Sequence, residues 1–312
     1  LTIKNFENAL TILSAVGGST NGIVHLTAMA GRLGFDLNLN EFDKMTKDTP
    51  MIVDLKPSGV GYMEDLFKSG GLPRILVELK DYLHLDTMTV SGETLRALIE
   101  KSKYNWKQEI IRKTDNPIFE KGSIAVLTGN LAPGSAIIKQ SAASKELLLH
   151  EGIVEVFENL EDLANRIDSE ELNVTKDSIL LLRNIGPIGA PGMPEAGLIP
   201  IPKKLAKIGV KDMVRISDGR MSGTASGTIV LHVCPEAAAG GTLNIVESGD
   251  VIKLDVVNRS IELILSDEEI NLRKKKKNMK EIVKRRGYNK IFHEHVLQAD
   301  KGVDFDFLRP ID

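Results

Sequence analysis

Apolar residues in the first part of the chain recur at intervals of three and four, which is the period of an amphipathic helix. This spacing predicts helices over 6–16, 23–33 and 72–79. Loops rich in proline and glycine, such as 56–61, separate the predicted helices. Residues 1 to about 110 are therefore expected to form several short helices.

Polar residues that favour helix N-termini support these boundaries. One of the residues at 19–21 can cap the helix that follows, and Gly34 can end that helix in a left-handed conformation. Asn40 precedes a predicted helix at 41–47, and Ser91 precedes another.

From about residue 121 the pattern changes to short β-type runs bounded by turn residues. Seven runs are predicted to be strands: 124–127, 153–157, 179–182, 213–216, 228–233, 251–257 and 261–265. Asn258, Arg259 and Ser260 suit a hairpin turn between the last two. Because helices intervene between only some of the runs, we expect a β-barrel-like domain or a sandwich decorated with helices.

Composition places the chain among ordinary globular proteins. Its 312 residues suggest about two domains, and the change of pattern puts their boundary near 115–122. With 42% hydrophobic and 27% charged residues, a disordered or fibrous chain is excluded. No apolar run has the length of a membrane span and no signal segment is recognisable, so we expect a cytoplasmic protein that contacts no membrane.

Charge argues against a nucleic-acid partner. Lys+Arg 40 against Asp+Glu 43 gives a net charge of −3, too balanced for binding by counterion release. The basic run at 273–277 falls in a predicted charged helix, 267–286, and no aromatic residues interleave it. We interpret this helix as a solvated face whose lysine stems cover the edge of the core.

Cysteine and histidine usage limits the metal chemistry of the chain. Cys234 is the sole cysteine, which excludes an internal disulfide and a self-sufficient thiolate-ligated cluster. His293 and His295 would face the same way on a strand, but no third ligand lies nearby, so zinc is disfavoured. His25 is expected to pack or hydrogen-bond on its helix.

Three glycine-rich polar segments carry the candidate chemistry. The first loop, 17–21, offers backbone N–H groups, two hydroxyls and an amide at a helix start, which suits an anion or is an ordinary N-cap. The second loop, 186–195, ends at Glu195. This carboxylate could sit at a helix start and bind Mg²⁺, or it merely opens a helix running to Ile208.

The third loop, 217–227, follows a predicted strand and presents a serine between glycine and threonine. Backbone N–H groups there could stabilise an alkoxide of Ser222, but an unassisted serine is a poor base and needs a nearby cation or dipoles. The segment is not G-x-S-x-G, so a hydrolase elbow is disfavoured. No nucleotide-binding glycine motif occurs in the chain.

Five ordered segments carry a resemblance to a known family. They are GGSTN at 17–21 with IVHLTAMA at 23–30, YMED at 62–65 with Gly70-Gly71, GNLAP at 129–133, PGMPE at 191–195, and SDGRMSGT at 217–224 with HVCPEA at 232–237. Read together, they resemble the dihydroxy-acid dehydratase / phosphogluconate dehydratase family up to about Glu269. Residues 198–204 and 212–233 are more similar to arabonate and xylonate dehydratases, although Gly219 agrees with the branched-chain biosynthetic branch.

The resemblance implies a dehydration in which a 2,3-dihydroxy acid or sugar acid loses water to give a 2-keto acid. In the family an iron–sulfur cluster, Mg²⁺ and a serine base carry the reaction. Carried over by motif, Glu195 is a Mg²⁺ ligand, Ser222 is the base and Thr224 assists it. The first loop, with Ser19, Thr20 and Asn21, would lie close to cluster and substrate.

The family's cluster cysteines, aspartate Mg²⁺ ligands and modified lysine precede the first loop in relatives, and this chain holds none of them. The resemblance therefore implies an α/β plus β fold. Residues 1–120 would be the end of an α/β cluster-binding domain, and 121–312 a β-barrel-like domain with a charged helical tail. A [2Fe–2S] or [4Fe–4S] cluster would be bound by the missing portion, with Cys234 a small buried residue and not a ligand.

Several alternatives stay open at this stage. The parent protein could be the dihydroxy-acid dehydratase of branched-chain amino-acid biosynthesis. The chain could instead be a non-catalytic fragment or subunit that needs a cysteine-bearing half, or an anion-binding domain without catalysis. Relatives assemble as dimers or tetramers, so a homo-oligomer is expected for the full-length protein.

Overall fold

Helices dominate the first third of the structure. The computed structural model describes residues 1–277 and 286–310, and the following paragraphs concern these residues. Their α-helices are α1 (Ile3–Ala15), α2 (Asn21–Arg32), α3 (Leu39–Thr46), α4 (Met63–Lys68), α5 (Gly71–Glu78), α6 (Leu95–Lys101), α7 (Leu160–Arg166), α8 (Lys203–Lys207), α9 (Asp267–Lys276) and α10 (Tyr288–His295). Six of the ten precede the first strand.

One eight-stranded mixed sheet follows. Its strands are β1 (Ala125–Leu127), β2 (Ser135–Ile138), β3 (Leu149–Phe157), β4 (Ile179–Leu182), β5 (Arg215–Ser217), β6 (Ile229–Cys234), β7 (Val251–Asp255) and β8 (Ser260–Leu263). They are ordered β1-β2-β6-β5-β4-β3-β7-β8. The pairs among β3, β4, β5 and β6 are parallel and the remaining pairs antiparallel.

The two outer strands of this order meet and nearly close the sheet into a barrel. Thr128, just after β1, forms a parallel bridge with Ser260 at the start of β8. The Thr128 amide donates to the Arg259 carbonyl at 3.0 Å, and the Ile261 amide donates back to the Thr128 carbonyl at 3.0 Å. The predicted fold class, a helical part followed by a barrel-like domain with helices, is confirmed.

The central strands are buried on both faces, which explains their continuous apolar sequences. In β4, Ile179 and Leu181 point into the barrel interior, whereas Leu180 and Leu182 contact the outer cluster that includes residues of α7 and α8. Because both faces are covered, the run 179–182 is predicted with correct boundaries by its apolar residues alone.

Helices α1 to α3 cover another part of the barrel surface. Val126 of β1 and Ile137 of β2 join a shared core with Phe6, Ile23 and Phe42. The carboxylate of Asp43 in α3 adds polar contacts to this packing, since it accepts from the Val126 amide at 3.0 Å and from Arg259 at 2.8 Å. The helical part and the barrel therefore share one buried interface.

Several local predictions differ from the structure. Helix α3 is capped by Asn38, not Asn40, and α6 is capped by Thr94, not Ser91. Strand β2 was not predicted, because Pro133, Gly134 and Ser135 at its start are typical of a loop. The division of the chain at 120/121 remains a prediction.

The C-terminal region also differs from expectation. Helix α9 ends at Lys276, and the rest of the predicted helix, 278–285, lies outside the described residues. Arg273 is not merely solvated, because it donates to Asp250 at 2.6 Å and to Glu269 at 2.8 Å. His293 and His295 lie on helix α10, where residues two apart face different directions.

Candidate active site

The first loop connects α1 to α2 through a tight turn. Gly17 has a φ of 58°, in the left-handed region that favours glycine. Ser19 Oγ accepts from the Asn21 amide at 3.2 Å, while Thr20 is the N-cap residue but makes no side-chain cap bond. Gly34, with φ 79°, ends α2 as predicted, so the sequence located both ends of this helix.

The side-chain amide of Asn21 joins the three loops. Its Nδ2 donates to Glu195 Oε1 of the second loop at 2.5 Å and to the Met221 carbonyl of the third loop at 3.1 Å. Asn21 is buried at the first turn of α2. One nitrogen thus connects the predicted Mg²⁺ ligand to the residue immediately before the predicted base, over separations of 174 and 200 residues along the chain.

Ser222 and Thr224 lie next to each other on the open side of this junction. Their hydroxyl oxygens are 3.1 Å apart, and both side chains are exposed. Gly223 between them faces the first loop, where a Cβ added to it would lie 2.8 Å from the Ser19 Cβ. A glycine is therefore needed here to let the first and third loops approach.

The second loop reaches Glu195 in an irregular conformation. Residues 194–202 are not helical, and the nearest helix, α8, begins at Lys203. The predicted helix start at Glu195 is therefore wrong, whereas the role of Glu195 as a Mg²⁺ ligand stays a prediction. The prolines and glycines of this segment set its path instead, and Glu195 is exposed beside Asn21.

Asp218 of the third loop binds the backbone immediately before the second loop. This carboxylate is fully buried and accepts from the amides of Asn184 at 3.1 Å, Ile185 at 3.0 Å and Ala237 at 3.0 Å. Burial raises the pKa of Asp218 to about 6, against the opposing effect of these donors.

Glu236 holds the next residues of the second loop in the same way. It accepts from the amides of Ile188 at 2.8 Å and Gly189 at 2.9 Å, and from the side chain of Gln298 at 2.8 Å. Burial raises the pKa of Glu236 as well. Sequence reasoning missed both carboxylates, although each lies within a segment of the family resemblance.

His232 is a buried imidazole behind the third loop. It is 1% exposed, has a φ of 56°, and its two ring nitrogens have no hydrogen-bond partner among the described residues. Burial, together with the charge of Arg220, lowers the pKa of His232 to about 3, so the ring is neutral. Arg220 itself donates to the carbonyl of Met193 in the second loop.

The residues present fit one position of a Mg²⁺ site. Mg²⁺ takes oxygen ligands, commonly one or two carboxylates besides water and substrate. Glu195 offers an exposed carboxylate, and the adjacent Asn21 Oδ1 is a buried acceptor without a partner among the described residues. No group of three or more His, Cys, Asp or Glu side chains in residues 1–277 and 286–310 is arranged to hold a metal ion.

An iron–sulfur cluster does not fit the residues of this chain. Cys234 is buried in β6, and burial together with Asp300 raises the pKa of its thiol, which disfavours the thiolate that ligates iron.

In the described part of the chain, no helix is long and apolar enough to cross a bilayer.

Comparison with known proteins supports the family resemblance that the five ordered segments carry. The family described as dihydroxy-acid/6-phosphogluconate dehydratase matches the chain twice, with its C-terminal region at residues 109–303 and its N-terminal region at residues 1–98.

Individual relatives match over almost all of the chain. An L-arabinonate dehydratase of Rhizobium leguminosarum bv. trifolii is 46% identical over 311 residues, and an L-arabonate dehydratase of Azospirillum brasilense is 46% identical over 317, each covering 99% of this chain and 54% of the relative. A dihydroxy-acid dehydratase of Acetivibrio thermocellus is 39% identical over 305 residues, covering 97% of this chain and 54% of the relative.

The chain thus spans about half the length of the curated relatives it matches. The family expected from the five ordered segments is confirmed, and the relatives named above are dehydratases. The chain belongs to the dihydroxy-acid/6-phosphogluconate dehydratase family.

Proposed function

We propose that this chain supplies the serine base and one Mg²⁺ ligand of a hydro-lyase that converts a 2,3-dihydroxy carboxylate, preferably a sugar acid, to a 2-keto acid. The observation that carries the proposal is the double hydrogen bond of Asn21, which brings Glu195 and the Met221–Ser222 peptide together. A serine can act as a base only beside a cation or oriented dipoles, and this junction supplies a carboxylate that binds one.

In the proposed reaction the Ser222 alkoxide takes the proton from C2 and the C3–O bond breaks. The hydroxide that leaves recovers this proton from Ser222, so that water is released and the alkoxide is restored. The resulting enol tautomerises to the 2-keto acid. Thr224, whose hydroxyl is 3.1 Å from Ser222 Oγ, hydrogen-bonds the alkoxide and so favours it. Glu195 is oriented for the cation by Asn21. Mg²⁺ bound there would neutralise the carboxylate end of the substrate.

The first loop completes the binding side of the site. Ser19 and Thr20 lie at the N-terminus of α2, where backbone N–H groups and the helix dipole favour a negative group of the substrate. We assign the iron–sulfur cluster to the part of the relatives that this chain does not span, because Cys234 alone cannot bind it. A homo-oligomeric state and a cytoplasmic location remain expectations from the resemblance.

The preference for a sugar acid rests on similarity. The L-arabinonate and L-arabonate dehydratases are each 46% identical to the chain, against 39% for the dihydroxy-acid dehydratase. A branched-chain dihydroxy acid is the second candidate substrate, because Gly219 follows that branch of the family.

Substitution of the base tests the proposal in the full-length protein that contains this chain. We expect Ser222→Ala to lower kcat for 2-keto acid formation from arabonate or xylonate by about 10²–10⁴, the contribution of a positioned general base. KM should change little, since the hydroxyl acts on the transferred proton.

Ser226→Ala is the matched control, because Ser226 is an exposed serine of the same loop. It should retain the activity of the unchanged protein. Full activity of Ser222→Ala would refute the assignment of the base. Absence of turnover by the unchanged protein with arabonate, xylonate and 2,3-dihydroxyisovalerate would refute the proposed function.

A further inference from the structure

A cavity of about 260 Å³, lined by both apolar and charged side chains, begins one turn after Asn21 along α2. Four segments line it: α2 with Arg32, the second loop with Met193, the third loop with Arg220, and a segment near the C-terminus with Asp304. Its volume is just below the range of about 300–1,000 Å³ found for sites of drug-sized ligands, so it suits part of a small molecule.

The cavity is lined by residues that are close in sequence to those of the candidate active site. On α2, residues three, four and seven positions after Asn21 lie on the same helix face, and Val24, His25 and Ala28 all line the cavity. Arg220 is the neighbour of Met221, whose carbonyl binds Asn21. A ligand with one end at Glu195 and Ser222 would therefore place its other end here.

An ion pair with two hydrogen bonds forms one wall of the cavity. Arg32 Nε and Nη2 donate to the two oxygens of Asp304 at 2.7 and 2.8 Å. Asp304 is buried, and its bond with Arg32 lowers the pKa of the carboxyl, so it is charged at neutral pH. Half of the Arg32 side chain is still exposed, which leaves guanidinium donors available to a ligand.

Charged groups on this wall suit hydroxyl groups and not methyl groups. A hydroxyl both donates and accepts, so vicinal hydroxyls can bind a carboxylate oxygen and a guanidinium N–H together. An apolar tail in the same space would strip water from the Arg32–Asp304 pair and from Arg220 without replacing its hydrogen bonds. His25, expected to pack or hydrogen-bond on its helix, is exposed and adds a polar ring to the lining of this cavity.

We propose that this cavity is the subsite for the distal, hydroxyl-bearing end of the substrate, and that the Arg32–Asp304 pair selects polyhydroxy acids over dihydroxy acids with branched apolar tails. The inference rests on the proposed function, since that function places the reacting carbons at Glu195 and Ser222.

The test measures kcat/KM of the full-length protein for a five-carbon sugar acid and for 2,3-dihydroxyisovalerate. We expect Arg32→Met and Asp304→Asn each to lower kcat/KM for the sugar acid about ten- to hundredfold, mainly through KM. The value for 2,3-dihydroxyisovalerate should stay within about threefold, because its tail makes no hydrogen bond in the subsite. Arg32→Lys, which keeps the charge, should recover part of the loss.

Arg112→Met is the matched control, because it removes another Arg–Asp pair, with Asp54, away from this cavity. It should leave the ratio of the two kcat/KM values unchanged. Equal losses for both substrates in the Arg32 and Asp304 variants, or no loss for either, would overturn the subsite while leaving the proposed function intact. No turnover of any substrate by the unchanged protein would refute the proposed function and, with it, the subsite.

Discussion

Asp218 is a carboxyl group enclosed in protein at the end of β5, where it receives three backbone hydrogen bonds. Two of the donors, Asn184 and Ile185, immediately precede the second loop. Asp218 therefore fixes the backbone that leads into the second loop, at whose far end Glu195 lies. This makes Asp218 a positioning residue in the candidate site.

The raised pKa of Asp218 predicts a pH-dependent contribution to stability. The pKa of Asp218 is about 6 in the folded protein, against 3.8 for an aspartate in water, as in the unfolded chain. The folded protein therefore binds this proton more tightly than the unfolded chain. The contribution is fully present below pH 3.8 and is lost as the pH rises through about 6. Asp218→Asn removes the titration and loses hydrogen bonds from backbone amides, so the variant should be less stable than the unchanged protein.

The free energy of unfolding of the unchanged protein minus that of Asp218→Asn should therefore decrease between pH 4 and 7, by up to about 3 kcal/mol. Urea unfolding at a series of pH values measures it. His232 acts in the opposite direction, since its lowered pKa makes stability fall as the pH drops, but it is present in both proteins and its contribution cancels. A constant or widening difference would contradict the prediction.

At the scale of elements, the GNLAP segment is explained by closure of the barrel and not by chemistry. Asn130 donates through its side chain to the Leu263 carbonyl at 2.8 Å and accepts from the Leu263 amide at 2.7 Å, so it extends the pairing of β8. Gly129 lies against the same strand, where a Cβ would be 2.1 Å from the Ile261 carbonyl oxygen. This part of the family resemblance marks a structural requirement.

Gly129→Ala should lower the free energy of unfolding by about 2–4 kcal/mol, because the new methyl group cannot fit while Thr128 stays paired with Ser260. Gly209→Ala is the control: Gly209 also has a positive φ, 93°, but open space surrounds its Cβ position. The control should cost only about 1 kcal/mol, from backbone strain alone. Chemical denaturation compares the two variants, and equal losses would argue against close packing at the closure.

At the scale of the whole molecule, the chain holds the proposed base, one proposed Mg²⁺ ligand and a single thiol. Cys234 is buried on a central strand, and its raised pKa keeps it protonated. This favours the interpretation that the chain needs a cysteine-bearing partner half for catalysis. Helices α1, α2 and α3 share a buried core with β1 and β2. A partner half would therefore add to a chain whose helices and barrel are already packed together.

The chain alone should therefore bind no stable iron–sulfur cluster. After anaerobic treatment with iron and sulfide followed by desalting, we expect its visible absorption spectrum to show no cluster band and to match that of Cys234→Ala. The full-length protein, treated in the same way, should show the band. A stable band in the chain alone that disappears in Cys234→Ala would refute this interpretation.

The sequence by itself determined those features that depend on local pattern. Strand β4 was predicted from its apolar run, the end of α2 from Gly34, and the three loops from their glycine and polar residues. These signals are local because helix period, strand burial and left-handed glycine conformations each involve only a few neighbouring residues.

Only the tertiary structure decided how these pieces meet. The decisive contacts join residues that are far apart in the sequence. They are the hydrogen bonds of Asn21 to Glu195 and Met221, those of Asp218 and Glu236 to the backbone at the second loop, and the bridge between Thr128 and Ser260. A hydrogen bond depends on distances of about 3 Å and on direction, and no periodicity in the sequence encodes such a distance between residues so far apart. The sequence therefore identified the three loops of the candidate site, and the packing of the barrel against α1, α2 and α3 decided which of their atoms lie together.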